Sequence, residues 1–204
     1  MNWLRKNPEQ MEADIQATLV RMEDLQAKRL SLGELQAQLL EERAFIARIL
    51  AGFRTGMPWG EAGELLKTHC LRPFELSSLY LARADWESNQ LHFPYFFEAG
   101  RPRERKSRVL GDGPGLTARV VELRTPLYLD TKEACMAHGM VLTEAELTTG
   151  LMNQTWFGIP LDGRDGKLAG VLAFQSFHSE AFPPHRRLMM EAVAGITALH
   201  LGSA

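Results

Sequence analysis

Apolar positions set the architecture of the first fifty residues. Met11, Ile15, Leu19, Met22 and Leu25 recur at three- and four-residue intervals, while Glu12, Asp14, Arg21 and Lys28 lie largely elsewhere, the signature of an amphipathic helix. Asn7-Pro8-Glu9 supplies its start: Asn7 as cap, Pro8 at the first helical position and an acid at the positive end. From Leu25 the repeat becomes a strict seven, with Leu25, Leu32, Leu39, Ile46 and Phe53 at one seam position and Leu35 and Ile49 at the other. Glu42 interrupts that second set, and upstream of Leu25 the register would place Thr18, Asp14 and Arg21 in the seam. Ser31-Leu32-Gly33-Glu34 has the form of a capping box, with Leu30 and Leu35 as its apolar staple. Two successive helices, 8–29 and 32–52, are therefore expected in preference to one rod.

Gly52, Gly56 and Pro58 punctuate the chain before a third helix, in which Trp59, Ala62, Leu65, Leu66 and His69 share a face. Strands are expected over 74–84 and 90–97 with a turn at 85–89; Leu91, Phe93, Tyr95 and Phe97 alternate to one side, and Pro94 demands an edge or a bulge. Arg108 to Leu110 reads as a short strand before Gly111-Asp112-Gly113-Pro114-Gly115, and Leu116, Val120 and Leu123 suggest a helix after it. Pro126 to Leu129 reads as a strand, and Asp130-Thr131-Lys132-Glu133 opens a helix that Gly139 ends. Residues 139–153 carry no clear pattern. Trp156 to Leu161 and Leu168 to Phe174 flank Asp162-Gly163-Arg164-Asp165-Gly166-Lys167, a hairpin whose Asp-Gly pairs allow the reversal, and a closing helix follows Pro183. Both faces of the second hairpin strand are mostly apolar, as in a strand covered on both sides; Gln175 is the polar exception.

A chain of 204 residues is long enough for one globular domain with an appendage, divided here as 1–55, a helical dimerisation segment, and 56–204. No apolar run approaches the roughly 20 residues of a membrane span, and the first residues lack a signal core, so a cytoplasmic protein is expected. Cys70 and Cys135 are too few for a disulfide framework and form no zinc-type pair. A net charge of −2 gives no global attraction to nucleic acid or to anionic lipid.

Three segments, Gly111 to Asp130, Trp156 to Ser176 and Ala181 to Leu201, together resemble the GAF pattern: a glycine turn into a helix, a buried strand, a Pro-Leu and a Gly-Val strand forming a hairpin, and a Phe before the last helix. The resemblance spans roughly Pro58 to Leu201. It implies an α+β fold in which a central antiparallel sheet of five or six strands carries the first and last helices on one face and a ligand pocket on the other. Two motifs of the family are broken. Asn153 is followed by Gln154, and Phe182 by Pro183-Pro184-His185, where cyclic-nucleotide binders carry Asn-Lys and a Phe with a downstream Asp. Bilin binders often pair Cys directly with His, whereas this chain has Cys135-Met136-Ala137-His138.

By the resemblance, Tyr128, Asp130, Cys135, His138, Trp156 and Gln175 border the pocket, each with a structural alternative: Trp156 as core, Asp130 as helix cap, Gln175 as a sheet-edge hydrogen bond. Cys135 and His138, three apart on a helix, could face one cavity. The GDGPG turn has the glycine density of a phosphate cradle but not the spacing of a nucleotide-binding loop. Arg101, Arg103, Arg105, Lys106 and Arg108, opposed only by Glu104, form a basic cluster that could be a solvated loop or could meet an acidic partner or a phosphate. No catalytic set and no metal set emerge from the spacing. The expected function is a non-enzymatic signalling module that takes a small molecule or a partner protein in its pocket and homodimerises through Leu25, Leu32, Leu35, Leu39, Ile46, Ile49 and Phe53. Its output would pass to a downstream signalling protein. The alternatives are a reductase of free methionine sulfoxide working through Cys135, and a tetrapyrrole photosensor; the sequence does not name a cofactor.

Overall fold

The structure is a computed structural model that describes residues 8–110, 115–163 and 165–202, with side chains omitted at 8–15 and at 144–145. The turn residues 111–114, on which the phosphate-cradle reading depends, and Arg164 of the hairpin lie outside the described residues. The chain forms two compact units, Met1–Phe45 and Ile46–Ala204.

From Pro8 onward the first unit is helical. Helix α1 runs unbroken over Pro8–Gly52, 45 residues, and so passes through Ser31-Leu32-Gly33-Glu34, where two helices were expected to meet. A capping box replaces helical hydrogen bonds only where the chain leaves the helix; inside one, those bonds stay, and Gly33 costs about 1 kcal/mol against alanine. Leu25, Leu32, Leu35 and Leu39 are each 51–66% exposed, with Leu19, Val20, Met22, Leu30 and Leu40 around them. Ile49 and Phe53 do not belong to this exposed seam: both are buried, and both lie in the second unit. They are core residues there, which corrects their assignment to dimerisation; Ile46 is half-buried.

The second unit is built on a seven-stranded antiparallel sheet of order β3-β2-β1-β7-β6-β5, with β4 also pairing β2. The strands are β1 Ser78–Asp85, β2 Gln90–Glu98, β3 Arg101–Pro102, β4 Arg108–Val109, β5 Leu127–Leu129, β6 Thr155–Asp162 and β7 Leu168–Ser176. Helices α2 (Trp59–Cys70) and α6 (Pro184–His200) cover one face, and α3 (Leu116–Leu123), α4 (Lys132–Ala137) and α5 (Glu144–Thr149) belong to the other side of the sheet. On the first face, Trp59 packs over Gly170 and Gly63 over Tyr95, close approaches that only glycine permits: a Cβ on Gly170 would sit 2.8 Å from the Trp59 ring and closer still to the Ala82 carbonyl oxygen. The row Phe97–Leu79–Phe174–Phe157 continues that face, with Phe74 edge-on to Phe174.

Pro94 produces a bulge rather than an edge. Leu81 pairs Tyr95 while Arg83 pairs His92, so Ala82 faces both Phe93 and Pro94. The extra residue reverses the alternation: Leu91 and Phe96 enter the core of the opposite face, with Phe93 packed against it, while Tyr95 turns to α2. The expected one-sided row Leu91-Phe93-Tyr95-Phe97 is thus split between two faces. Pro94 is exposed, between the stretches of β2 paired by β3 and by β4. A second bulge at Ala169 sets Leu161 against Gly170 and Asp162 against Leu168.

Entry and exit of the domain are joined. Met57 bridges Leu201 in parallel, Met57 N donating to the His200 carbonyl (2.9 Å) and Gly202 N to that of Met57 (3.0 Å), while the Phe53 and His200 rings meet at 5.6 Å. The segment following α1 is therefore tied by backbone hydrogen bonds to the end of α6. Among the described residues, no helix is long and apolar enough to cross a membrane.

Candidate functional site

The face of the sheet away from α2 and α6 carries a core of Tyr80, Ala82, Leu91, Phe96, Leu116, Val120, Trp156, Val171 and Ala173. Above it, α3 and the segment from Met140 to Glu146 leave a cavity of about 40 Å³. That is room for a few waters or a small oxoanion, not for a ring system. The cavity adjoins an open cleft of about 630 Å³, with which it shares Arg105, Arg108 and Thr143.

Its floor is the indole of Trp156, which lies flat along β6 because residue 158 is glycine: a Cβ there would fall 2.7–2.8 Å from Cζ3 and Cζ2 and nearer to Cη2. Trp156 Nε1 donates to the Tyr80 hydroxyl (3.2 Å), which is hydrogen-bonded to the Thr117 hydroxyl at 2.7 Å, so sheet and α3 are linked through a buried polar chain. Tyr80 stacks on Phe96 (5.1 Å) and meets Phe93 edge-on (5.9 Å).

One wall is α5, an element absent from the sequence reading although Thr143-x-x-Glu146 spells its capping box. Thr143 Oγ1 accepts from Glu146 N (3.2 Å), and Glu146 Oε2 accepts from Thr143 N (2.8 Å). The buried Glu146 carboxylate also accepts from Asn153 N (3.2 Å) and Nδ2 (2.9 Å). Asn153 Nδ2 donates further to Gln175 Oε1 (3.2 Å), and the Ser77 hydroxyl donates to Asn153 Oδ1. This network fixes Gln175 on the cavity wall.

The other wall is basic. The segment between β3 and β4 lays the Arg105 guanidinium over the Phe93 and Phe96 rings at 5.1 and 4.9 Å, and Arg103, Lys106 and Arg108 line the cleft with it. The Arg108 guanidinium is held below its usual range by desolvation and by neighbouring Arg105. The basic cluster seen in the sequence, apart from Arg101, therefore lines the cleft, and Arg105 and Arg108 of it also line the cavity.

Of the expected pocket residues, the structure brings Trp156 and Gln175 together in the cavity. Tyr128 belongs to the opposite face: it meets Phe157 and Phe182 at 5.8 and 6.4 Å, and Arg187 of α6 covers its ring at 4.3 Å. The Asp130 side chain is exposed, its backbone oxygen accepting from Glu180 N and Thr155 Oγ1; the cap of α4 is Thr131, not Asp130. Cys135 and His138 do not converge, since Cys135 is buried in the core of the cavity face while His138 is exposed and bonded through Nδ1 to the Ala134 carbonyl (2.9 Å). Burial, reinforced by Asp130, pushes the Cys135 thiol up to about 11, and burial alone pushes Cys70 up to about 12. Cys70, on α2, lies across the sheet from Cys135. Among the described residues, no group of three or more His, Cys, Asp or Glu side chains is placed to hold a metal ion.

A central antiparallel sheet with α2 and α6 on one face and a small cavity on the other defines a GAF-like fold, and solved structures bear this out. The GAF domain of a phosphoenolpyruvate-protein phosphotransferase from Acinetobacter superposes with a TM-score of 0.59 at 12% identity, over 78% of this chain and 90% of that one. The corresponding domain from Coxiella burnetii gives 0.60 at 17% identity, over 79% and 92%. Free methionine-R-sulfoxide reductase from Neisseria meningitidis, in complex with its substrate, gives 0.52 at 18% identity, over 69% and 73%. No protein-family model and no curated protein matches the chain.

Proposed function

We propose that this protein is a non-enzymatic signalling module of the cytoplasm: the GAF-like unit takes a small molecule in the cavity beneath α3 and α5, and α1 pairs with its counterpart in a second copy. The observation that carries the reading is the walled cavity with Gln175, Thr117 and Arg105 around it, while Cys135 is buried in the core of the same face and is not among the residues lining the cavity. The helix seam supports the second half, because a 45-residue helix exposing Leu25, Leu32, Leu35 and Leu39 has a face suited to covering by another helix. Ligand binding would act by population shift between helix-pair geometries, which requires unequal affinity for the two. The Met57–Leu201 bridge gives such a change a short route between the segment after α1 and the exit of α6. Light scattering on the full chain tests the assembly: the expected mass is twice that of one chain, falling to one in L32E/L39E, and an unchanged mass in that variant refutes α1 pairing.

The reductase reading has the fold likeness to free methionine-R-sulfoxide reductases in its favour, and Cys135 is the thiol on the cavity face. A reductant-coupled assay with free methionine sulfoxide separates the two readings. Turnover abolished by Cys135→Ser would establish the enzyme, and no turnover is expected.

A further inference from the structure

Resting on the cavity as a ligand site, the geometry points to the class of ligand: a small organic oxoanion that also carries a hydrogen-bonding group, its anionic head against Arg105 and its polar group toward Gln175 and Glu98, which flank Ser78 in one buried stripe of the sheet.

The stripe follows from strand register. Glu98 pairs Ser78 across β2 and β1, Ser78 pairs Gln175 across β1 and β7, and Gln175 pairs Trp156 across β7 and β6. Residues directly opposite in a sheet point to the same side, so these four lie in one row on the cavity face. Trp156 and Gln175 line the cavity and Glu98 lines the adjoining cleft, while Ser78 stands between Gln175 and Glu98 in the row and lines neither. Ser78 is fully buried and Glu98 is 5% exposed, yet among the described residues Ser78 Oγ and Glu98 Oε1 have no hydrogen-bond partner, nor has Arg103 Nε in the same cleft. Buried polar atoms of this kind are rare because leaving them unmatched is costly, and here two of them belong to residues lining the cleft, with Ser78 next to Glu98 in the row. A core designed only to pack would have apolar side chains in that row, as the adjacent row Phe96–Tyr80–Ala173 largely has.

Charge selects the head group. Arg103, Arg105, Lys106 and Arg108 line the cleft against Glu98 and Glu104, a net excess of two positive charges. Among the described residues Arg105 is held by two aromatic faces rather than by a carboxylate, so its N–H edge is oriented without being consumed. A planar guanidinium positioned in this way matches carboxylate or phosphate oxygens. Glu98 then limits the class further: a carboxylate there accepts from a hydroxyl, amine or amide of the ligand and disfavours a second bare anion at that end. Size completes the description, since the closed part admits only a few atoms and the bulk of the ligand would lie in the cleft.

The shared chemistry, an oxoanion, could come from a carboxylate or a phosphate ester, and paired probes separate them. The full chain is titrated calorimetrically with succinamate, an amide-bearing carboxylate, against its uncharged counterpart succinamide, and with glycerol 3-phosphate against glycerol. The expected result is heat of binding with at least one anion of the set and none with its neutral counterpart, weakened roughly tenfold or more in R105Q and also in E98A, but unchanged in R72Q, which removes an equal charge on an exposed residue next to α2. Binding retained in R105Q, or lost equally in R72Q, overturns the assignment. Binding of the neutral probes alone leaves a small-molecule cavity in place and overturns only its anion selectivity; failure of all four overturns the assignment of ligand class as well.

Discussion

Gly158→Ala tests the shape of the cavity floor most sharply. A Cβ at residue 158 would lie 2.7–2.8 Å from two atoms of the Trp156 indole and closer to a third, so the ring must retreat. It has little freedom to do so: Trp156 is 1% exposed and its Nε1 is bonded to the Tyr80 hydroxyl at 3.2 Å. Overpacking of this sort costs about 1–3 kcal/mol, and loss of the indole hydrogen bond adds about 0.5–1.5 kcal/mol. Lower backbone freedom in the unfolded chain returns about 0.5–1 kcal/mol. The net destabilisation is therefore about 0.5–4 kcal/mol, or roughly 1–16 °C in the unfolding midpoint of a domain this size. Urea unfolding followed by tryptophan fluorescence and near-ultraviolet circular dichroism measures it. Trp156→Phe removes the clashing atoms, so in that background Gly158→Ala should cost about 1 kcal/mol less, read as a double-mutant coupling. Strictly additive costs would refute the argument that Gly158 exists to let the indole lie on the sheet.

Three further outcomes follow from other parts of the domain. Gly170→Ala drives a Cβ into the Ala82 carbonyl on the neighbouring central strand, where backbone must move, and should destabilise by about 3 kcal/mol or more; a midpoint equal to the parent in urea would contradict the packing of Trp59 over β7. Glu146→Ala removes the acceptor of Thr143 N, Asn153 N and Asn153 Nδ2 and should cost about 2–4 kcal/mol, with faster amide exchange across residues 143–153. Both thiols have folded-state pKa values above the usual 9, Cys135 at about 11 and Cys70 at about 12. Their contribution is thus complete below pH 9 and is lost as pH rises toward 11–12, at up to about 1.4 kcal/mol per pH unit for each. Iodoacetamide at pH 8 should label neither thiol in the native protein and both in denaturant; rapid native labelling of Cys135 would overturn its placement in the core.

Much of the sheet was legible because its strands announce themselves by composition and turn residues: the hairpin of β6 and β7, the Pro126–Leu129 strand and the short strand at Arg108 all stand where expected. What could not be read was the count across a bulge. Pro94 marked one, but only pairing shows that Ala82 opposes two residues and that Tyr95 leaves the row of Phe93. The same short motif misled at one place and was missed at another. Ser31-x-x-Glu34 lies within a helix whose hydrogen bonds continue on both sides, whereas Thr143-x-x-Glu146 follows Gly139, where the chain has already left a helix and the cap is free to form. The site was half legible. Trp156 and Gln175 fall on the cavity face by strand alternation, but Tyr128 takes the other face through its pairing with Phe157, and Ser78 and Glu98 acquire meaning only from a register that joins β2, β1 and β7. Arg105 looked like one charge of a solvated run until two aromatic rings beneath it gave it a direction.

Native mass spectrometry of the freshly purified full chain tests the account most directly, because it weighs assembly and ligand together. A sensing dimer predicts a species of two chains carrying extra small-molecule mass that is lost on mild collisional activation. A single chain at its bare mass, across the micromolar range, would contradict it.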